Sequence, residues 1–532
     1  MKRRDLLKSS AAFAALSVAP GFSLTAARAQ GSMTFTSVPQ SDLASIDPIW
    51  TTAMITAIHS NCVFDTLYGL DSKFQPQLQM LESGEPSEDG LTWTLVLRDG
   101  LKWHDGEMVT AEDCVASIKR WWVRDTLGQT LASVTDTLEA ADEKTIVFTL
   151  NRPFSMLPNA LAKPSGNMCA MMPARLAATS PHEQIPECIG SGPFKFMADE
   201  WVSGSKVVYE KFEDYIPREE PGEYTAGAKI AYVDRVEWPV INDSSTAYAA
   251  LKSAEVDSLE AVAPDFVSIV TQDPDITSVA RALFYLCIIR FNHLQPPFDN
   301  QAIRQAVASA VDQEAFMTAI FGEENKASWA TNVGYFTPGT PNDVDAGKDK
   351  IGSLANIDAA KQAIIDAGYD GTPVVVLDPS DQAWIHAGAM LTANLLEQLG
   401  MNVDLQTMDW GTMMTRRPVK GTPDEGGWNV FVTSLSGPNN LDPAGHLGLR
   451  GNGGDAWFGW PDNPEMEEMR MNWFFAEDAA ERTAIIEKIQ ETAFDKVPYV
   501  PMGAYTQITA YTKDWVDMPK EMPLYYTMKP AG

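Results

Sequence analysis

The sequence predicts an α/β protein, and three observations lead to that prediction. Between residues 284 and 433, strand-like segments alternate with helix-like segments, which is typical of βαβ units and a largely parallel sheet. Residues 284–289 are wholly apolar, as expected of a strand that is covered on both faces. The chain has 532 residues, 45% hydrophobic and 21% charged, so its composition is that of a folded globular protein with several domains.

The first 29 residues have the features of an export signal rather than of a folded segment. Residues 2–4 are basic, residues 6–19 form an apolar stretch rich in small residues, and Ala27-Arg28-Ala29 supplies a small-residue cleavage site. Residues 2–8 are similar to a twin-arginine signal, and an anchored amphipathic helix is the alternative. No cysteine stands at the predicted cleavage point, so we expect an exported protein without a lipid anchor.

The charge balance argues against some classes of partner. Asp and Glu number 71 and Lys and Arg number 40, which gives a formal net charge of −31. So negative a surface repels phosphate backbones and anionic lipid headgroups. Nucleic acid is therefore not expected as a partner.

Residues 33–110 have the pattern of strands and turns. Residues 91–98 alternate apolar and polar side chains, and Asp99-Gly100 predicts a hairpin turn that leads into residues 101–103. Thr110 is then the expected N-cap of a helix, with Asp113 at the capping-box position. The apolar spacing predicts that this helix runs to residue 122, and a strand is expected at 144–150.

Residues 194–290 alternate strands with one helix near 244–254, and longer helices follow. Asp299 or Asn300 is expected to cap a helix that runs to Phe321, and Asp358 a second helix that ends at Gly368. The remaining expected elements are strand 373–377, helix 382–399, strand 402–408, strand 429–433 and a helix over about 464–494.

The sequence contains no recognisable catalytic or metal-binding motif. The six histidines stand at neither HxH nor H-E-x-x-H spacing, and neither a G-x-S-x-G elbow nor a phosphate-binding loop occurs. We therefore expect no catalytic residues, no metal site and no cofactor.

The five cysteines give no metal or redox signature, because no C-x-x-C occurs among them. In an exported protein Cys169 could pair with Cys188, and buried free thiols are the alternative.

Aromatic residues in loops are the main sign of a binding function. The chain has 15 Trp, 14 Tyr and 22 Phe, and several stand beside glycine or proline, as at Trp410-Gly411 and at 457–461. Loop aromatics often line ligand clefts, where a rigid ring supplies contact area at low entropic cost. Core packing is the alternative for any single tryptophan.

A series of segments, in order along nearly the whole mature chain, resembles the extracytoplasmic solute-binding proteins of ABC importers. The resemblance is to the peptide/nickel-type family, which includes the dipeptide- and oligopeptide-binding proteins. Residues 97–113 are the most specific of these segments. The others are Ile46-Asp47-Pro48 and residues 63–68, 87–93, 190–194, 291–292, 297–299, 303–307 and 367–369.

The resemblance implies a two-lobed periplasmic binding protein fold (type II) with an extra α+β domain inserted in the first lobe. The expected divisions are a signal peptide at 1–29, a first lobe from 33–70, 186–283 and 503–532, an inserted domain at 71–185, and a second lobe at 284–502. His104 is expected to be a hydrogen-bonded turn residue rather than a ligand contact.

The resemblance also implies a function. A small solute, a peptide or a peptide-like compound, would be captured between the lobes and delivered to the ABC permease subunits of the inner membrane. The protein would be a periplasmic monomer and not an enzyme.

The expected ligand contacts come partly from residues 434–443, which follow a strand end of the kind that faces the cleft in α/β lobes. Peptide-binding relatives place an aspartate here for the α-ammonium group of the ligand, but this chain has Pro438 or Asn439 there and Asp442 in an Asp-Pro turn. Asn439 and Asn440 suit a neutral or polyhydroxy ligand, or else form turns. The full set of expected contacts, chosen by loop position and aromatic character, is Trp50, Thr51, Trp410, Trp428, Asn439, Asn440 and Asp442.

Two other functions are compatible with the sequence. A secreted hydrolase with an aromatic-lined cleft would need a nucleophile–base pair or two paired carboxylates, which the sequence does not display. A periplasmic chaperone or sensor subunit could use the same fold. Loss of activity on single carboxylate substitutions would distinguish the enzyme from a receptor.

Overall fold

The computed structural model describes residues 33–164 and 166–531, so the predicted signal peptide at 1–29 lies outside the described residues. Within these two ranges, no helix combines the length and the apolar composition that a membrane crossing needs.

The elements are numbered along the chain. The first group consists of β1 (Thr34–Val38), α1 (Met54–Val63), β2 (Tyr68–Leu70), β3 (Pro76–Leu78), β4 (Leu81–Pro86), β5 (Thr92–Leu97), α2 (Ala111–Trp121), α3 (Thr126–Ser133), β6 (Thr135–Ala140), β7 (Thr145–Leu150), α4 (Leu157–Leu161) and α5 (Ala174–Ala177). The second group consists of β8 (Phe194–Phe196), β9 (Lys206–Lys211), β10 (Arg235–Pro239), α6 (Ser244–Lys252), β11 (Ser258–Leu259), α7 (Pro264–Gln272), β12 (Ile276–Ala280) and β13 (Tyr285–Phe291). The third group consists of α8 (Gln301–Ala310), α9 (Gln313–Phe321), β14 (Trp329–Ala330), α10 (Ile357–Asp366), β15 (Val374–Pro379), α11 (Ala383–Gln398), β16 (Val403–Met408), α12 (Trp410–Arg416), β17 (Val430–Leu435), α13 (Pro464–Phe474), α14 (Ala479–Lys496), β18 (Tyr499–Tyr505), β19 (Ile508–Thr512), β20 (Trp515–Val516) and β21 (Lys529–Pro530).

A seven-stranded sheet has the order β12-β19-β11-β1-β10-β9-β8. Its central strand β1 pairs in parallel with both β10 and β11, and the other pairs are antiparallel. Phe35 of β1 is fully buried against the ring of Trp515, at a centroid distance of 4.8 Å. The carboxyl ends of these three parallel strands therefore meet at one edge of the sheet.

A six-stranded sheet has the order β14-β18-β13-β17-β15-β16. The expectation of a largely parallel sheet is wrong for half of it: β15, β16 and β17 run in parallel, whereas β13, β14 and β18 are paired antiparallel. The chain enters this sheet through β13 from the seven-stranded sheet and leaves it through β18 to the same sheet. Strand β13 therefore runs away from the seven-stranded sheet, and its neighbour β18 runs back toward it. This makes the pair antiparallel.

Two short connections thus join the two large sheets. Residues 281–284 link β12 to β13, and residues 506–507 link β18 to β19. The buried Arg281 ties the two connections together, because its backbone N–H donates to the carbonyl of Gln507 (3.0 Å) and its own carbonyl accepts from the Thr506 hydroxyl (2.6 Å). We call residues 281–284 and 506–507 the hinge.

A third, four-stranded antiparallel sheet has the order β4-β5-β7-β6. The predicted N-cap of α2 is confirmed, since the side chains of Thr110 and Asp113 form a capping box at its first turn. The turn predicted at Asp99-Gly100 is present, with Gly100 at a φ of 77°, but it does not close a hairpin, because β5 pairs with β4 and β7 instead. A second tight turn lies at 104–106, closed by a bridge between Lys102 and Met108.

His104 in that turn is a hydrogen-bonded structural residue, as expected. The backbone N–H of Gly190 donates to its Nδ1 (3.3 Å), and its Nε2 donates to the carbonyl of Gly192 (3.0 Å). Both contacts join the turn to the segment that leads into β8. The three sheets are consistent with the predicted lobes, but the exact domain bounds stay a prediction.

Three predicted helices differ from those observed. The helix expected to end at Phe321 is two helices, because Val311 has an extended backbone and the Asp312 side chain caps α9 by accepting from the backbone N–H of Ala315. Asn300 is the cap of α8. The helix expected over 464–494 is likewise divided, with Asp478 as the cap of α14. Asp358 lies in the first turn of α10 rather than at its cap.

All five cysteines are free thiols, so Cys169 and Cys188 do not form the disulfide considered above. Cys188 instead lies with its Sγ 3.3 Å from Nε2 of the buried His59.

Candidate ligand-binding clefts

A cavity of about 410 Å³ lies between the two large sheets, beside the hinge. The carboxyl ends of the parallel strands β1, β10 and β11 open into it through residues 38–41, 241–242, 259 and 261–263. The rest of the lining includes the start of α11, the end of α9, and Asn325 and Ser328 of the segment Glu323–Ser328. Ligands of α/β sheets bind outside the carboxyl ends of parallel strands, so this position is the expected one for a site. We call it the hinge cavity.

Aromatic rings and neutral polar groups line the hinge cavity. Tyr505 stacks on Phe321 at a centroid distance of 5.0 Å and lies 5.3 Å from the ring of Trp384. Among the described residues that line this cavity, none carries a carboxylate, an ammonium or a guanidinium group. The polar ones are Gln40, Ser41, Asn242, Ser244, Tyr248, Asn325, Ser328, Gln382, Tyr505, Thr506 and Gln507.

A second cavity, of about 270 Å³, lies between the region of α3 and α4 on one side and residues 438–445 and 473–483 on the other. Unlike the hinge cavity it has charged lining residues, namely Lys163, Asp442 and Arg482. Lys163 is already paired with the buried carboxylate of Asp125. We call it the charged cavity.

Asp442 is the predicted contact residue that lines a cavity, and it also forms its own turn. Its Oδ1 accepts from the backbone N–H groups of Ala444 (2.9 Å) and Gly445 (3.3 Å). Burial raises the pKa of the Asp442 carboxyl above its usual value, in spite of these hydrogen bonds. The Asp442 carboxyl at the edge of the charged cavity therefore binds a proton more readily than an exposed aspartate does.

Asn439 and Asn440 lie in the same loop. The buried Asn440 donates through Nδ2 to the carbonyl of Ser436 (2.8 Å), and its carbonyl accepts from the backbone of Thr337. Asn439 lies against Gly166, where an added Cβ would come within 2.4 Å of the Asn439 Oδ1. The loop thus closes directly onto the segment that follows α4.

The other four predicted contact residues lie elsewhere. Trp428 is a core residue with 0% exposure, packed on Phe431 and Trp460, which agrees with the alternative of core packing. Trp410 begins α12 and is partly buried against the cores around the six-stranded sheet. Trp50 is 36% exposed with the Arg124 guanidinium over its ring, and Thr51 accepts from the backbone N–H of Ala53. None of these four belongs to the described lining of either cavity. A role in ligand contact stays a prediction for all seven residues.

Sequence reasoning missed the residues that line the hinge cavity, above all Gln40, Asn325 and Trp384. Gln40 lies two residues after the first strand, so its position after a parallel strand was an available signal. Asn325 and Trp384 come from the ends of helices that only the packing of α9 against α11 brings to the hinge. In residues 33–164 and 166–531, no group of three His, Cys, Asp or Glu side chains is placed to hold a metal ion.

His446 anchors the loop that carries Asp442, and its burial favours the neutral form of the ring. It is fully buried, its Nε2 donates to the carbonyl of Tyr335 (2.6 Å), and burial lowers its pKa from 6.5 to about 3. Between pH 6.5 and pH 3 the unfolded chain binds a proton here that the folded chain does not, so acid destabilises the fold. At pH 5 we expect a loss of about 2 kcal/mol relative to pH 7 from this histidine.

Urea unfolding at pH 5, 6 and 7 checks this expectation, with His446→Gln as the variant that removes the titrating group. The free energy of unfolding of the variant should depend less on pH. Equal pH dependence in the two proteins would contradict the prediction.

Comparison with known proteins gives a consistent set of matches. The sequence model described as "Bacterial extracellular solute-binding proteins, family 5 Middle" matches residues 75–456. A probable peptide ABC transporter periplasmic-binding protein of Sinorhizobium fredii is 37% identical over 537 residues, which covers 100% of both chains.

Two solved structures share the fold over nearly their whole length. The binding protein DppA of Helicobacter pylori, in complex with the peptide STSA, has a TM-score of 0.78 at 19% identity and covers 94% of this chain and 99% of its own. The binding protein AgaA of A. tumefaciens R10, in complex with agropinic acid, has a TM-score of 0.76 at 22% identity, with the same coverage of 94% and 99%.

Proposed function

The chain belongs to family 5 of the bacterial extracellular solute-binding proteins, and from that premise we propose that it captures a short peptide or peptide-like solute between its two large sheets. It is the substrate-binding component of an ABC importer and not an enzyme. The captured solute passes to the permease subunits in the inner membrane.

The hinge cavity is the observation that carries this proposal. Residues from both large sheets line it, and only two short connections at 281–284 and 506–507 join those sheets within the described chain. A rotation at such a hinge opens the cavity, and a ligand that contacts both sides favours the closed form. The volume of about 410 Å³ lies within the range of small-molecule sites.

The names of the relatives support the chemical class of the solute. The Sinorhizobium fredii relative is named for a peptide transporter, and the Helicobacter pylori structure holds a four-residue peptide. The A. tumefaciens structure holds agropinic acid, so solutes other than simple peptides belong to the same proposal. We place the protein in the periplasm as a monomer without a lipid anchor.

Mass spectrometry of the protein purified without denaturation tests the proposal. We expect a complex with one small solute per chain, and a solute that rebinds and is recovered intact after prolonged incubation. Chemical conversion of the solute would favour the rival hydrolase. Preparations that never carry or bind a small molecule would contradict the proposal.

Contacts beside the charged cavity join residues 126–154 to residues 444–475. The Arg152 guanidinium lies 3.4 Å from the centre of the Phe475 ring, and Phe154 packs edge-on to the same ring at 5.9 Å. The Thr126 hydroxyl donates to the carbonyl of Ala444 (2.9 Å). We call these contacts the latch, and we expect a rotation that opens the cleft to break them.

Removal of the latch ring should weaken ligand binding without much loss of stability in the free protein. Aromatic pairs and cation–π contacts contribute about 0.5–1.5 kcal/mol each, so Phe475→Ala should raise the dissociation constant about fivefold to tenfold, mainly through faster dissociation. Titration calorimetry and stopped-flow measurements check this. Ile365→Ala, on the exposed surface of α10, is the control. Equal dissociation constants for Phe475→Ala and Ile365→Ala would contradict the prediction.

A further inference from the structure

We infer that the hinge cavity recognises an uncharged amide group of the ligand, which accepts a hydrogen bond from Gln40 Nε2 and donates one to Asn325 Oδ1. The inference rests on the proposed function, because it concerns the chemistry of the solute that the receptor captures. We therefore expect the ligand to be a peptide whose ends are blocked or joined, rather than a peptide with free charged ends.

The orientation of the Gln40 amide is set by a chain of hydrogen bonds. Tyr285 donates through its hydroxyl to Gln507 Oε1 (3.5 Å), and Gln507 Nε2 donates to Gln40 Oε1 (3.1 Å). The Gln40 backbone is held as well, because its N–H donates to Glu260 Oε2 (3.0 Å). Gln40 Nε2 is then left buried and without a partner among the described residues, so this side chain offers a donor.

The Asn325 amide is oriented the other way, because here the nitrogen is bonded to the protein and the oxygen is left over. Asn325 is 8% exposed, and its Nδ2 donates to the carbonyl of Phe321 (2.8 Å) at the end of α9. Its Oδ1 has no partner within the part of the chain that the structure describes. Asn325 therefore offers an acceptor, and both side chains line the hinge cavity.

The two groups stand on opposite sides of the hinge. Gln40 follows β1 of the seven-stranded sheet, whereas Asn325 lies between α9 and β14 of the six-stranded sheet. A secondary amide supplies one acceptor and one donor, so a single amide group satisfies both buried atoms at once. A ligand that does so contacts both sides and favours closure.

The charges around the cavity argue against free termini. Glu260, whose sequence neighbours line the cavity, is itself buried and paired with the Arg281 guanidinium (3.4 Å). Asp243 is engaged as the cap of α6, and Asp381 accepts from the backbone N–H of Trp410. A ligand ammonium or carboxylate enclosed here would lose its hydration without gaining a counter-charge from the described lining.

A pair of peptide libraries tests the inference. All dipeptides are offered to the full-length protein once with free ends and once acetylated and amidated, and the captured species are identified by mass spectrometry. We expect capture from the blocked library, with at least tenfold weaker binding of the same sequences when their ends are free. Capture from the free library, or from neither, would overturn the inference. The proposed function is judged separately, because it fails only if no solute of any kind binds.

Variants of the two side chains identify the atoms responsible. Asn325→Ala and Gln40→Ala should each weaken binding of a blocked dipeptide about tenfold, and Gln40→Glu should weaken it further while improving binding of the free-ended form. Gln362→Glu makes the same change on the exposed face of α10 and should alter neither affinity. Unchanged affinity for the blocked dipeptide in both alanine variants would overturn the assignment of these two side chains as ligand contacts. If Gln40→Glu fails to fold, the two alanine variants alone test that assignment.

Discussion

Replacement of the hinge guanidinium, Arg281→Met, should lower the free energy of unfolding by about 3–5 kcal/mol at pH 7. Arg281 lies fully enclosed at the hinge, where its Nη2 donates to the carbonyl (2.7 Å) and to Oε1 (3.4 Å) of Glu260. Its Nε donates to the Thr509 hydroxyl (3.3 Å). The methionine keeps much of the volume but leaves Glu260 buried without a cation.

The pH dependence of this variant identifies the cause. Burial already raises the pKa of the Glu260 carboxyl above its usual value, and loss of Arg281 should raise it further. The folded variant then binds a proton that the unfolded chain, with its ordinary glutamate pKa, does not bind at neutral pH. Its stability should therefore increase as the pH falls from 8 to 5, and the deficit against the parent should shrink.

Urea unfolding of the parent and of Arg281→Met at pH 5 and pH 8 measures this difference. The double variant Glu260→Gln with Arg281→Met should recover part of the loss, because it removes the buried charge. A deficit that is the same at both pH values, or a double variant no more stable than the single one, would contradict the explanation.

The second large effect is expected at Arg120, which holds the segment Ile46-Asp47-Pro48. Both side chains of the pair are buried, and the guanidinium donates to the two carboxylate oxygens of Asp47 at 3.1 and 2.7 Å. Asp47 also accepts from the backbone N–H groups of Ile49 and Ile185. Three separate chain segments therefore depend on one ion pair.

Arg120→Met should lower the free energy of unfolding by about 3–5 kcal/mol, because it strands a fully buried carboxylate. Denaturant unfolding followed by tryptophan fluorescence measures the change. Lys144→Met, which breaks an exposed pair with Asp99, is the control and should unfold at the parent's denaturant concentration. Similar losses in the two variants would contradict the view that burial decides the effect.

Local signals in the sequence were sufficient for many elements of the fold. The capping box at Thr110 and Asp113 begins α2 as predicted, and the apolar run at 284–289 supplies most of the buried strand β13. The same local signals failed where apolar spacing continues across a break, as at Val311, where the backbone turns extended and a new cap follows. Strand direction in the six-stranded sheet depends on where the chain enters and leaves, which no local pattern contains.

The binding site was less predictable than the fold. The loop at 434–443 was identified from its place after a strand, and Asp442 does line a cavity. The donor and acceptor of the hinge cavity come from Gln40 and Asn325, far apart in the chain, and their roles depend on hydrogen bonds to Gln507 and Phe321. Loop position and aromatic character favour tryptophans instead, and Trp428 shows why this is a weak guide: a large ring fills a core as readily as it lines a cleft.

Small-angle X-ray scattering, with and without the solute recovered from the protein, tests most directly whether two halves close on one intact small molecule. We expect the radius of gyration to decrease when the solute saturates the protein, and to decrease less at the same solute concentration in the Phe475→Ala variant. A radius of gyration that stays the same while one solute binds per chain would contradict closure at the hinge.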